Sequence, residues 1–124
     1  MTKKVLIADD EAMIRDLVRL SLQSEGYEIH EVEDGPSAVR VAKQIKPDLM
    51  ILDVMLPGII GYRVCSMLKE EPDTNKIYIM FITSRSGTQV ETTINMCNGD
   101  EVVFKPFDPE ELKQKVIKAL ARIA

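Results

Sequence analysis

Three carboxylates, a hydroxyl and an ammonium each stand at the end of a short apolar run in this chain. Asp9 and Asp10 follow Val5-Leu6-Ile7-Ala8, and Asp53 follows Leu49-Met50-Ile51-Leu52. Thr83 closes the run Ile77–Ile82, and Lys105 closes Val102-Val103-Phe104. A charge at the end of a buried run is costly to desolvate unless something holds it. If these ends converge, each pair of acids repels by roughly 4 kcal/mol at about 4 Å and an effective dielectric near 20. Lys105 offsets part of that repulsion, and a divalent cation offsets more. Hard oxygen donors with room for water favour Mg²⁺, with Mn²⁺ as a substitute. With a cation on one oxygen and Lys105 nearby, Asp53 is ionised and able to attack an electrophilic phosphorus, giving an aspartyl-phosphate. Phosphoryl transfer asks mainly for positioning and charge neutralisation, which these residue types supply. The plainer alternative is a buried Asp–Lys pair, with the Asp9-Asp10 doublet merely capping the first helix. It leaves the third acid and the hydroxyl unexplained.

The elements that must bring these residues together alternate along the chain. Val5–Ala8 reads as a strand. Met13, Ile14, Leu17, Val18 and Leu22 then recur at helical spacing until Gly26 stops the helix. From about Glu28 to Val32 polar and apolar residues alternate, as expected of a half-exposed edge strand. Gly35-Pro36 opens a second helix with Ala38, Val39, Ala42 and Ile45 inward, ended by Lys46-Pro47. Leu49–Asp53 is apolar enough to be a strand buried on both faces. Beyond Pro57-Gly58 and Gly61, a third helix carries Val64, Cys65 and Leu68 to about Glu71. Ile77–Ile82 is a second fully apolar strand. Ser86 to Asn98 is a threonine-rich, weak helix candidate anchored by Val90, Ile94 and Met96-Cys97. Val102-Val103-Phe104 is a short last strand. The final helix has Asp108 as N-cap, Pro109 at its first position and Glu111 to complete a capping box, with Leu112, Val116, Ile117, Leu120 and Ile123 inward.

Five strands alternating with five helices through short loops imply a parallel sheet covered on both faces. Placing the most apolar strands centrally gives a flavodoxin-like, doubly wound (βα)5 fold in strand order 2-1-3-4-5, whose ligands bind outside the carboxyl ends of the strands. Asp9, Asp10, Asp53, Thr83 and Lys105 all fall on that edge.

At 124 residues the chain is expected to form one domain, residues 1–124. Sixteen Lys and Arg against 20 Asp and Glu leave a formal charge of −4, which argues against nucleic acid as a direct ligand. The apolar run after the N-terminal lysines is too short for a signal peptide and no stretch suits a membrane span, so a cytoplasmic location is expected. Cys65 and Cys97 fit no metal-binding or CxxC spacing and read as free, mostly buried thiols. His30, on an edge strand, reads as a surface or packing residue, and the scattered methionines as core filling.

Ala8-Asp9-Asp10-Glu11, Leu52-Asp53-Val54-Met55-Leu56-Pro57-Gly58, Ile82-Thr83 and Phe104-Lys105-Pro106-Phe107 together resemble the motif set of response-regulator receiver domains, in register over the whole chain. The resemblance implies that Asp53 is the phosphoacceptor. Asp10 and Asp53 would bind Mg²⁺ with the backbone carbonyl of Met55, and Asp9 would act largely through a bound water. Thr83 would hydrogen-bond the phosphoryl oxygens, Lys105 would pair with them, and the Lys105-Pro106 bond would be cis. A histidine kinase or phosphotransfer protein would supply the phosphoryl group. A downstream target or a covalently linked output domain would read the change, through a two-state equilibrium in the fourth helix and fifth strand. Met55 and Arg85 occupy rim positions that tune phosphoryl lifetime in the family.

Three positions depart from the family pattern. Val102 stands where an aromatic switch residue is usual, and Phe104, on the same strand face, is expected in an ordinary core role. Ile60 replaces the common Asp before Gly61, and Asn98-Gly99-Asp100-Glu101 alters a turn while keeping its acids. A haloacid-dehalogenase-type phosphatase would need an acid at Met55 and a cap insertion. A flavin-binding flavodoxin would find Asp9-Asp10-Glu11 repelling its phosphate. A receiver-like module that binds partners without being phosphorylated is the remaining alternative.

Overall fold

The computed structural model of the chain describes residues 2–84 and 88–123. Five strands, β1 (Lys4–Ala8), β2 (Glu28–Val32), β3 (Leu49–Asp53), β4 (Tyr78–Thr83) and β5 (Glu101–Phe104), form one sheet in the order β2-β1-β3-β4-β5. Every neighbouring pair is parallel. The described helices are α1 (Ala12–Leu22), α2 (Gly35–Ile45), α3 (Gly61–Lys69), α4 (Thr88–Met96) and α5 (Pro109–Ala121), with a 3₁₀ turn at Gln23–Glu25. The flavodoxin-like (βα)5 arrangement expected from the sequence is the one observed.

The period-two geometry of a strand sorts the core into two halves. Leu6, Ala8, Met50, Leu52, Ile79 and Phe81 face α2, α3 and α4, packing with Ala42, Val64, Leu68 and Ile94. Their chain neighbours Val5, Ile7, Leu49, Ile51, Met80 and Ile82 face α1 and α5, packing with Val18, Leu22, Val116 and Leu120. All five residues of β3 are buried, whereas β2 is half exposed, as its alternation implied. His30 stays on that edge, its Nε2 2.7 Å from Glu28 Oε2.

The helix ends follow local chemistry. Gly26 takes φ 74° where α1 and its 3₁₀ turn stop. Asp34 caps α2 by accepting from the Ser37 N–H, and Lys46 ends it in a left-handed conformation. Asp108 caps α5, but its carboxylate accepts from the Glu110 N–H (3.0 Å). The expected capping box, which pairs the N-cap with the third helical residue Glu111, is therefore corrected to a cap on the second.

Other expectations shift as well. β4 runs from Tyr78 to Thr83 and α3 ends at Lys69, before the glutamates. Met13 is 82% exposed although it begins the apolar repeat of α1, because only Val18 and Leu22 of that helix point fully at the sheet. Phe104 is 39% exposed and has no core role. It is the last residue of an edge strand, and beyond that edge no further strand covers it. Val102 is partly buried against the α2–α4 half of the core.

Candidate acidic site at the carboxyl edge of the sheet

β1 and β3 are adjacent and in register from Val5↔Leu49 to Ala8↔Leu52, so Asp9 and Asp53 leave the sheet side by side. Carboxylate oxygens of Asp9, Asp10 and Asp53 can all lie within 4.8 Å of one another. Asp9 is fully buried, Asp53 is 5% exposed, and Asp10 is open to solvent. Thr83, at the end of β4 and 1% exposed, is the next strand end along the edge, opposite Phe104 of β5. The Lys105 N–H donates to the Thr83 carbonyl at 2.8 Å, which continues the ladder one residue beyond the strand.

Lys105 reaches back across two strands to the acids. Its Nζ lies 3.0 Å from Asp9 Oδ2, 3.7 Å from Asp53 Oδ2 and 3.7 Å from Glu11 Oε1. The Lys105-Pro106 bond is cis, as the resemblance implied. Backbone donors hold the remaining carboxylate oxygens: the Glu11 N–H donates to Asp9 Oδ1 at 2.9 Å, and the Met55 N–H to Asp53 Oδ1 at 3.3 Å. The doublet does not cap α1, whose N-cap is Glu11 and which has no side-chain cap bond; Asp9 makes an Asx-type bond just ahead of the helix while its second oxygen serves Lys105.

The electrostatics follow from this packing. Burial, and then the charge of Asp9, push the Asp53 carboxyl above its ordinary pKa, with a smaller push from Asp10; the Lys105 charge and the Met55 N–H oppose them. Burial pulls the Lys105 ammonium down, but the hydrogen bond to Asp9 and the charges of Asp53, Asp9 and Glu11 outweigh it, so its pKa lies above the ordinary lysine value. One lysine thus leaves the acid cluster short of positive charge. Hard oxygen donors grouped in this way suit a small divalent cation.

Three contributors were not singled out in the sequence. Arg15, one turn into α1, donates to the Asp9 carbonyl at 2.8 Å and pairs with Glu31 and Glu33. Glu11 faces Lys105. Gly61 opens α3 directly against the phosphoacceptor candidate: a Cβ there would collide with the Asp53 carbonyl oxygen and lie 2.9 Å from Val54 Cα. The glycine was legible as a turn residue, but its role as a spacer behind Asp53 appears only when α3 is docked. Arg85 lies outside the described residues, and Met55 is 48% exposed on the rim.

A doubly wound α/β sheet carrying paired acids after its first strand, an acid after its third and a lysine after its fifth defines a narrow class of protein. A family-wide sequence model described as the response regulator receiver domain matches residues 5–117, and the chain belongs to that family, the receiver domains of two-component systems. It is 34% identical over 119 residues to the DNA-binding dual master transcriptional regulator RpaA of Synechocystis, covering 96% of this chain and 49% of that protein. It is 32% identical over 123 residues to the DNA-binding response regulator MtrA of Mycobacterium tuberculosis, covering 98% of this chain and 52% of that protein. The chain spans about half the length of these curated relatives. Among solved structures, the chemotaxis protein CheY4 of Vibrio cholerae superposes with a TM-score of 0.89 at 26% identity, covering 96% of this chain and 99% of that one. No helix among the described residues is long and apolar enough to cross a membrane.

Proposed function

We propose that Asp53 accepts a phosphoryl group from a histidine kinase or phosphotransfer protein and that the added charge switches this domain's affinity for a partner or a linked output domain. The observation that carries the reading is the Asp9, Asp10 and Asp53 cluster facing Lys105 Nζ, at 3.0 Å from Asp9 and 3.7 Å from Asp53. In the transfer, an Asp53 oxygen attacks phosphorus while the bond from phosphorus to the donor imidazole breaks, its electron pair leaving with the nitrogen. The Met55 N–H holds Oδ1, which leaves Oδ2, on the Lys105 side, as the attacking atom. Lys105 then pairs with the transferred group, and the Thr83 hydroxyl donates to it. Asp10, Asp53 and the Met55 carbonyl, with Asp9 through a water, are the residues to hold Mg²⁺ or Mn²⁺, which when bound neutralises charge on the phosphoryl oxygens. Val102 takes the position of the usual aromatic readout residue, so the response would travel without a ring at that point.

We take residues 1–124 as one domain acting in the cytoplasm as a switch that modifies itself rather than turning over a separate substrate. Where relatives are described as DNA-binding, we assign that activity to the half of those proteins this chain does not match, consistent with its net charge of −4.

Incubation with acetyl phosphate and Mg²⁺ is expected to add the mass of one phosphoryl group, and chelation of the metal to prevent it. An adduct that forms equally well in chelator, or none under either condition, would overturn the reading; turnover of a separate phosphoester would favour a phosphatase. At the rim, replacing Arg85 or Met55 by Ala is expected to change the decay rate of the adduct, followed by mass after removal of acetyl phosphate, more than its rate of formation. Equal effects on both rates would remove these residues from the tuning role.

A further inference from the structure

The two cysteines, distant in sequence, meet beneath the α3–α4 face. Cys65 lies on the buried side of α3, and Cys97 is the first residue after α4. Cys65 Sγ donates to the Cys97 carbonyl at 3.2 Å, and Cys97 Sγ to the Ile94 carbonyl at 3.3 Å. The following turn fixes Cys97 in place. Asn98 takes φ 64°, and the Gly99 N–H returns to the Ile94 carbonyl at 2.8 Å. A Cβ at Gly99 would lie 2.6 Å from the Phe81 ring, so the turn is seated directly on the core.

The pair is unequal in access and in chemistry. Cys65 is fully buried. Cys97, 5% exposed, forms part of the wall of a ≈350 Å³ groove between α3 and α4, alongside Ile60, Tyr62, Ser66, Thr93 and Met96. A small neutral oxidant entering that groove meets Cys97 first. The neighbouring Cys65 lowers the Cys97 pKa; burial opposes this, and the Gly99 N–H and Lys69 support it. The same contact, with burial, raises Cys65. Access therefore divides the labour, with Cys97 at the groove wall as the attacking thiol and the enclosed Cys65 as the resolving one.

We propose that Cys65 and Cys97 form a peroxide-responsive dithiol site that closes to an intramolecular disulfide between α3 and the end of α4. Hydrogen peroxide is the oxidant. The Cys97 thiolate attacks one peroxide oxygen, forming S–O as O–O breaks, and the departing hydroxide leaves as water with the proton that Cys97 lost. Cys65 sulfur then attacks the sulfenic sulfur of Cys97, S–S forms as S–O breaks, and the second water carries away the Cys65 proton. Two thiols lose two electrons and one peroxide becomes two waters. The bond ties α4, a helix resting on Val90 and Ile94 with Cys97 at its end, to the helix that begins behind Asp53.

The whole chain is treated with hydrogen peroxide, alkylated under denaturing conditions, and measured by intact mass and peptide mapping. The expected product is a monomer lighter by two hydrogens, with Cys65 and Cys97 joined in one peptide pair and freed again by dithiothreitol. With Cys65→Ala, a dione probe is expected to capture a sulfenic acid at Cys97. With Cys97→Ala, peroxide consumption falls about tenfold or more. The wild-type result stands without either variant. A chain whose cysteines both remain alkylatable, cross-links only between chains, or oxidation confined to Cys65 would each overturn the proposal.

Discussion

Asp53→Asn is expected to abolish the phosphoryl adduct completely and, in chelator, to unfold at higher urea concentration than the wild type. The first effect follows from the proposed transfer, in which Asp53 supplies the attacking oxygen. The second follows from charge. Burial and the neighbouring Asp9 raise the folded pKa of Asp53 above its unfolded value, so protonation is favoured in the fold. Such a group stabilises the fold fully below its unfolded pKa, and that contribution is lost as pH rises through the folded pKa. The neutral amide escapes that loss. The advantage of the variant should therefore be small at the acid end, grow as pH rises above the ordinary aspartate range, and then level off once pH has passed the folded pKa. Urea titrations at a series of pH values in chelator measure it. Added Mg²⁺ should reverse the ranking, because binding to the native state stabilises the wild type through a ligand the variant has lost. A variant less stable than the wild type at every pH in chelator would mean that Asp53 is a satisfied structural carboxylate.

Lys105→Met should have the opposite sign. Its ammonium is the strong counter-charge to a fully buried Asp9, at 3.0 Å. Removing one partner of a buried pair leaves the other charge uncompensated, and a loss of about 2–4 kcal/mol in chelator is expected, since Asp53 can take up a proton and ease the strain. The methionine keeps most of the apolar stem, so the loss reports charge rather than packing. Mg²⁺ should restore a large part of the stability of Lys105→Met while phosphorylation by acetyl phosphate remains slow. Equal destabilisation with and without the metal would assign the lysine to packing alone.

The strand ends carrying Asp9, Asp53, Thr83 and Lys105 could be read in advance because an apolar run that stops at a charge marks both a buried strand and its edge. The start of α2 and the cap of α5 were visible for a similar local reason, through Gly35-Pro36, Asp108 and Pro109, whereas the Asp34 cap came only with the structure. What escaped depends on docking between elements. Gly61 looks like an ordinary turn glycine until α3 comes to lie against the Asp53 carbonyl. Arg15 carries no motif, and its bond to the Asp9 carbonyl arises only from the angle at which α1 leaves the sheet. Met13 and Phe104 were placed inward by periodicity, yet each sits at an element's end, where the helix or sheet edge no longer supplies cover. The contact between Cys65 and Cys97 spans 32 residues and rests on the Asn98-Gly99 turn, so spacing alone could not pair them.

The reach of Lys105 to Asp9 joins residues 96 apart in the chain. On the ribosome, the three mutually repelling acids therefore emerge well before the ammonium that quiets them. A nascent chain lacking residue 105 can lay down β1 and β3 side by side only against that repulsion, and this favours delaying closure of the acidic rim until the last strand arrives. The same long tether ties the rim to completion of the sheet: its counter-charge is in place only once β5 has paired with β4.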